Sequence, residues 1–507
     1  MNPDVTTLGQ ALREIAGRHP DKTALIGAER AITWAALDAE VDHLAALFAA
    51  LGIGRGDVVG LCTTKRPEVV VTFLALARLG AVAAPINFKL ETARIVDQFD
   101  VAKIRGLLLE PRFDDVIAPV VHQISGRIVY VGGEGRYAGR PYEDVAKVPA
   151  LGPLDVSPAD VCYLNYTSGT TGRPKGAEHT HAQILWNARS GVEGLGFGPD
   201  DVFMGMFSVF AHPHELFHRA LLTGATCVVV DTMSPRIVLD LVAKHSVTWM
   251  MAVPSFYEMM LDQGAGATDT GSLRVLESGG AWVSSDTLDR MERAFGCGFM
   301  PVWGSTETCG VALAMRPDRH RKAGATGAAV AHYEVSLRDD HGRVVARGEP
   351  GELWVRGPAV STGYVGMPED TAAAFVDGWY RTGDLARLDD DGFFWFVGRR
   401  HDMLKVGGIR VFPLEIEQVL YAHPAIAEAV VVRAEERVRG EVPRAVVRLL
   451  PGRTVTATEL KAFCRGHLAT YKVPRLVEIW TDIPKLPNGK IDRRAVEASP
   501  PAPEPRA

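Results

Sequence analysis

Between Tyr166 and Gly176 the chain reads Tyr-Thr-Ser-Gly-Thr-Thr-Gly-Arg-Pro-Lys-Gly, a run of small hydroxyl and glycine residues closed by one lysine. Residues of these types suit a polyphosphate. Gly169 and Gly172 let successive backbone N–H groups turn inward, Thr167, Ser168, Thr170 and Thr171 add hydroxyl donors, and Lys175 supplies a cation for a terminal phosphate. The ligand this predicts is ATP. The segment is not a Walker A loop, because Arg173 and Pro174 separate Gly172 from Lys175, and Gly176 stands where Ser or Thr would follow. Kinase and P-loop ATPase classes therefore lose ground. On composition alone the same residues would make a solvated connector.

Two further constellations carry chemistry. Trp303-Gly304-Ser305-Thr306-Glu307 comes after a predicted strand ending near Val302, where open α/β sheets place their ligands. Taken alone, the pentapeptide reads as the capped start of a helix. His214-Glu215-Leu216-Phe217-His218 satisfies His-Glu-x-x-His, in which two histidines one helical turn apart bind Zn²⁺ and the glutamate activates water, with His212 as a conceivable third ligand. A zinc metalloprotease is thus a distant second class. Three fixed positions in five arise by chance in a long chain, and this reading leaves the other motifs unexplained.

In their order along the chain these segments resemble the signature of the adenylate-forming, AMP-binding superfamily, which includes acyl-CoA synthetases, peptide-synthetase adenylation domains and luciferases. The resemblance covers nearly the whole sequence. It implies that Thr167, Ser168, Gly169, Thr170, Thr171 and Lys175 hold the phosphates of ATP. Trp303, Gly304 and Ser305 would contact AMP with Trp303 stacked on adenine, Thr306 would hydrogen-bond the α-phosphate, and Glu307 would hold Mg²⁺. Ser278-Gly279-Gly280-Ala281 is similar to the segment whose backbone at Gly279, Gly280 and Ala281 passes close to adenine and the acyl group. Tyr380-Arg381-Thr382-Gly383-Asp384 is similar to the element whose aspartate binds both ribose hydroxyls, which makes Asp384 the ribose ligand. The resemblance further puts Arg399 near the ribose or phosphate, His401 at the pivot of a hinge, and Lys490 as the catalytic lysine of adenylation. Lys405, Gly407, Gly408 and Arg410 would face the active site during thioester formation, with Gly408 letting pantetheine pass. Phe210, His212 and Trp282 would line the acyl site.

Several positions depart from the family pattern. Trp303 replaces the usual tyrosine, Trp282 a proline, and His401 a lysine or aspartate, while Val209-Phe210-Ala211-His212 replaces Pro-Leu-Phe-His. The resemblance implies an ATP-dependent carboxylic acid:CoA ligase that uses Mg²⁺ and CoA and passes through an acyl-adenylate. Phe207, Phe210, Trp282 and Trp303 suggest a hydrophobic, cyclic or aromatic acid. The alternative within the family is an acyl-AMP ligase that loads a carrier protein or leaves transfer to a partner enzyme. Amino-acid activation is disfavoured, because Met206-Phe207-Ser208-Val209 offers no carboxylate for a substrate ammonium.

The elements that must position these residues follow from length and patterning. A chain of 507 residues needs two or more cores. A hydrophobic fraction of 47% with 23% charged residues is that of a globular protein, and a net charge of −6 gives no footprint for nucleic acid. The most apolar stretch, Val69 to Ile86, carries Arg78 and reads as a buried helix and strand, not a membrane span. The N-terminal residues show no secretory pattern, the six cysteines show no Cys-x-x-Cys spacing, and a cytoplasmic monomer or homodimer is expected. Alternating apolar and helical runs from Asp57 to Asn87, Ala225 to Leu261 and Leu273 to Trp303 predict α/β layers. Short strands with turn chemistry from Tyr333 to Val397 predict a β subdomain. The fold class expected is α/β: a large multi-subdomain N-terminal adenylating domain over 1–398, a hinge at 399–401, a small mobile α+β lid over 402–498, and a disordered Pro-rich tail over 499–507.

Overall fold

The computed structural model describes residues 6–500 except 125, 153, 168–173, 265–267, 281–282, 284, 317, 319–320, 323, 437–439 and 486–490. Expectations for Ser168, Gly169, Thr170, Thr171, Ala281, Trp282, Lys490 and most of the tail fall outside the described residues. The chain forms two compact units: Met1–Val335 with Val355–Arg381, and Ser336–Trp354 with Thr382–Ala507.

The first unit is α/β, built on two sheets. One has seven strands in the order Arg140–Pro141, Ile128–Tyr130, Ile104–Leu109, Val58–Cys62, Val82–Pro85, Val161–Thr167 and Lys175–Thr180. Its strands are parallel up to Val161–Thr167, which pairs antiparallel with Lys175–Thr180. The other has nine strands, with Val202–Gly205, Trp249–Ala252, Val275–Ser278 and Gly298–Ser305 parallel at its centre. The apolar stretch singled out above is the helix Pro67–Leu79, buried along its whole length, followed by the buried strand Val82–Pro85. A helix buried all round has no polar face to present. Arg78 is tolerated there because its guanidinium reaches Asp38 at 2.5 Å and Asp42 at 2.7 Å. Among the described residues no helix is long and apolar enough to cross a membrane.

The window 334–399 carries the strands Glu334–Arg338, Gly351–Arg356, Phe375–Val376, Trp379–Leu388 and Phe394–Arg399, with one short helix, Pro368–Ala374, that the strand-only expectation did not include. In the second unit, the long strands Ile426–Glu436 and Gly440–Leu449 pair antiparallel, and Leu476–Ile479 adds a parallel strand. The helix Pro413–Tyr421 turns Ile416 and Leu420, both fully buried, onto this sheet, where Val431 and Val447 pack. Proline opens this helix at its first position, where it sacrifices no hydrogen bond.

Candidate active site

Lys175 is described at the end of the segment expected to hold phosphates. The two strands that flank it pair Thr167 with Lys175 and Tyr166 with Gly176. A side chain at Gly176 would meet Tyr166 and Val365, each at 3.0 Å, and the Gly176 carbonyl accepts from Val365 N at 2.9 Å. The bare backbone there lets residues 361–365 lie against the strand, which explains why glycine follows the lysine. The ammonium of Lys175 forms an ion pair with Asp370 and stands 5.3 Å from the centre of the Tyr364 ring.

The strand Gly298–Ser305 runs three residues past its expected end and pairs antiparallel with Gly310–Ala314. A glycine, Gly304, lies inside the added part of the strand. The structure absorbs that glycine in a register shift between Trp303 and Gly304, where a Cβ at Gly304 would lie 2.2 Å from the Gly310 carbonyl. No helix follows. A tight turn over Thr306–Cys309 is closed by Thr308, whose hydroxyl accepts from Ser305 N at 2.8 Å and donates to Gly310 O at 2.7 Å. The turn places Glu307 under the surface, 6% exposed, and its Oε1 accepts from the Tyr364 hydroxyl at 2.7 Å.

The Glu307 carboxylate fits Mg²⁺, which takes one or two protein carboxylates and completes its shell with phosphate oxygens and water. It does not fit zinc. Among the described residues no group of three His, Cys, Asp or Glu side chains could hold a metal.

The strand Val275–Ser278 delivers Gly279 and Gly280. A Cβ at Gly279 would sit 3.2 Å from Val302, and Gly280 has a φ of +85°, where side chains other than glycine are strained. The strand Val202–Gly205 delivers the expected acyl segment. Phe210 is 8% exposed, its ring 5.3 Å edge-on from Phe88, which stacks on Phe113 at 4.2 Å. His212 is half-buried, and its Nδ1 lies 3.1 Å from Nδ2 of Asn165, on the strand that enters the phosphate segment.

The His-Glu-x-x-His element is not a metal centre, which corrects the protease alternative. Pro213–Leu216 is a short 3₁₀ turn, not the α-helix expected to carry Glu215 and His218, and the rings of His214 and His218 pack edge-on with centroids 5.4 Å apart. Nε2 of His214 lies 3.0 Å from the Cys309 carbonyl, and His214 and His218 have no exposed surface. Burial lowers both well below the usual imidazole range, and it pushes the Glu215 carboxyl up to about 8. What the element does is structural: next to it, Arg219 makes a two-pronged ion pair with Glu277 inside the unit.

In the second unit, Asp384 is paired across strands with Arg399. The Arg399 Nε is 3.4 Å from Asp384 Oδ1, and Asp384 is 8% exposed. His401 Nε2 lies 3.2 Å from Asp402. Lys405 and Arg410 face each other on a hairpin whose two turn residues, Gly407 and Gly408, have φ of +55° and +85°, and a Cβ on either would meet open space. Arg410 reaches Asp340 at 2.9 Å. The stretch that contains Lys490 is bounded by Lys485 and Ile491, which pair with each other.

Tyr364, Asp370, Asn165 and Thr308 were not foreseen. None has a local signature except Thr308, whose place three residues after Ser305 is that of a turn-closing hydroxyl.

The AMP-binding enzyme family matches residues 12–365, and the AMP-binding enzyme C-terminal domain matches residues 415–490. The chain is 34% identical over 494 residues to an indoleacetate–CoA ligase of Aromatoleum aromaticum, with 94% of each chain covered. It is 34% identical to a feruloyl-CoA synthase of an Amycolatopsis species, over 93% of this chain and 94% of that one. Its structure resembles that of an anthranilate CoA ligase in complex with anthranoyl-AMP, with a TM-score of 0.90 and 29% identity over 97% of this chain and 96% of the other. The chain belongs to the AMP-binding enzyme family.

Proposed function

We propose that the protein is an ATP-dependent carboxylic acid:CoA ligase that converts an acid, ATP and CoA to acyl-CoA, AMP and pyrophosphate by way of an acyl-adenylate. The observation that carries the reading is the junction of Lys175 and Glu307 through Tyr364, at the mouth of the phosphate segment, in a chain whose relatives are named as CoA ligases. In the first half-reaction the substrate carboxylate attacks the α-phosphate of ATP, and Lys175 with the 167–171 hydroxyls and backbone holds the departing pyrophosphate. Thr306 hydrogen-bonds the α-phosphate and Lys490 neutralises the charge that develops between carboxylate and phosphorus. Glu307 would hold Mg²⁺, whose charge neutralises the phosphate oxygens. Asp384 accepts from the ribose hydroxyls, with Arg399 beside it.

In the second half-reaction the thiol of CoA attacks the acyl carbonyl and AMP leaves. Residues 399–401 serve as the hinge of a C-terminal lid over 402–498, and Gly408 keeps the thiol path clear. Gly279, Gly280 and Ala281 let the backbone approach adenine, on which Trp303 stacks. Phe210, His212 and Trp282 shape the acyl site for a hydrophobic, ring-bearing acid. The aromatic row Phe210–Phe88–Phe113 supports that class, as do the groups named in the relatives: indoleacetate, feruloyl and anthranilate.

The test is pyrophosphate release with ATP and Mg²⁺ across a panel of acids that includes these three, followed by chromatography of the acyl-CoA. Acid-dependent pyrophosphate with acyl-CoA is the expected result. Acyl-AMP that accumulates and never reaches CoA would replace the proposal by an acyl-AMP ligase serving a carrier protein or partner transferase.

A further inference from the structure

Tyr364 joins two groups that the ligase reading treats separately. Its ring face stands 5.3 Å from the Lys175 ammonium, and its hydroxyl donates to Glu307 Oε1 at 2.7 Å. Both contacts come from one rigid side chain fixed on several sides. The Tyr364 backbone bridges to Ala177, two residues beyond Lys175, and its N–H donates to Thr371 Oγ1 at 3.0 Å. Ser361 N donates to the Glu307 carbonyl at 2.7 Å, so the segment is tied to the backbone of the residue whose side chain Tyr364 binds. Phe375 packs against the ring with centroids 5.6 Å apart.

We propose that Tyr364 is a positioning residue that sets the spacing between the phosphate-binding cation, Lys175, and the metal-binding carboxylate, Glu307. The inference rests on the ligase reading. The two contacts serve different partners of ATP. A cation over a ring face is attracted without a hydrogen bond, so all three ammonium protons stay available to oxygen acceptors. Asp370, 45% exposed, is the partner a phosphate displaces, and the ring stays under the ammonium during the exchange. The hydroxyl occupies one oxygen of Glu307 and directs the carboxylate toward the nucleotide, as outer hydrogen bonds orient metal ligands elsewhere.

Removing the hydroxyl and removing the ring therefore have separable consequences. Tyr364→Phe keeps the ring under Lys175 and loses the bond to Glu307, whereas Tyr364→Leu loses both. Two equilibrium titrations read the difference without turnover: calorimetric binding of ATP in EDTA, and binding of Mn²⁺ to the protein–ATP complex by electron paramagnetic resonance. Tyr364→Phe should bind metal-free ATP within about twofold of wild type, and should bind Mn²⁺ on the order of tenfold more weakly. Tyr364→Leu should show the same Mn²⁺ loss and in addition bind metal-free ATP about two- to fivefold more weakly. Mn²⁺ binding unchanged in Tyr364→Phe, or metal-free ATP binding equal in the two variants, overturns the inference while the ligase reading stands. Wild-type protein that binds no ATP in either titration overturns both.

Discussion

Replacing Arg219 by methionine removes one half of a buried ion pair and leaves the other half in place. Arg219 lies beyond the 3₁₀ turn that follows the expected acyl segment, and Glu277 lies on the strand that leads into Gly279 and Gly280. The guanidinium donates to the carboxylate at 2.7 and 3.0 Å, Trp249 Nε1 adds a third bond at 2.7 Å, and the two charged side chains are 6% and 0% exposed. Methionine preserves most of the stem volume but leaves Glu277 with the indole as its remaining side-chain donor. Uncompensated buried charge of this kind costs about 3–5 kcal/mol, or about two to three and a half decades in the folding equilibrium. The double variant Arg219→Met with Glu277→Gln removes both charges and keeps an acceptor for Trp249. It should therefore be destabilised by clearly less than the sum of the two singles, with a coupling of about 2 kcal/mol. Urea unfolding read by tryptophan fluorescence, with the transitions of the two units fitted separately, measures all four proteins. A loss of less than about 1 kcal/mol in Arg219→Met, or a double variant as unstable as the summed singles, would refute the reasoning.

Asp370→Asn removes the carboxylate that competes with phosphate for Lys175 while costing little stability at a position 45% exposed; calorimetry should show ATP binding tightened about two- to fivefold, and weaker binding would sink the idea. Glu215→Gln acts through linkage. A folded-state value near 8 against about 4.3 unfolded means the native state holds an extra proton between those pH values, so the carboxyl's contribution is full below pH 4.3 and is lost as pH rises to 8. The variant should gain on wild type between pH 5 and pH 8 in thermal melts and keep its pyrophosphate release; a constant gap, or activity abolished with bound zinc in the parent, contradicts this. Gly408→Leu, at a φ of +85° in open space, should cost about 1 kcal/mol of strain and block thioester formation while adenylation continues. Gly408→Ala shares the strain without the bulk and should retain both steps, and Lys490→Ala should lose adenylation alone; single-turnover assays of acyl-AMP and acyl-CoA separate these outcomes.

What the sequence made legible was whatever depends on neighbours along the chain. The buried helix Pro67–Leu79 and the buried strand after it are local matters of apolar patterning around one arginine, and the sequence predicts both. The strand expected to end near Val302 runs on to Ser305, because Gly304 sits at a bulge whose reason, the Gly310 carbonyl 2.2 Å from any Cβ there, lies on the next strand. His-Glu-x-x-His failed for a related cause. Its spacing presumes a helix, and whether Pro213 opens an α-helix or a 3₁₀ turn is settled by the packing around the buried His214 and His218 rings, not by the pentapeptide.

The side chains that tie the candidate site together stand furthest from any sequence signal. Tyr364 is 57 residues from Glu307, and Asp370 is 195 residues from Lys175. Neither separation repeats a helical or strand period, so no pattern in one sequence pairs them. What the chain does show locally is Gly176, whose missing side chain lets Val365 lie close, and Gly363, whose missing side chain leaves room for Thr371. A side chain at Gly363 would collide with Thr371 at 2.6 Å, and one at Gly176 with Tyr166 and Val365 at 3.0 Å. The phosphate lysine is thus followed by glycine for a reason unrelated to phosphate: the residue after it gives up its side chain so that a distant tyrosine can reach under the lysine and touch the carboxylate beyond.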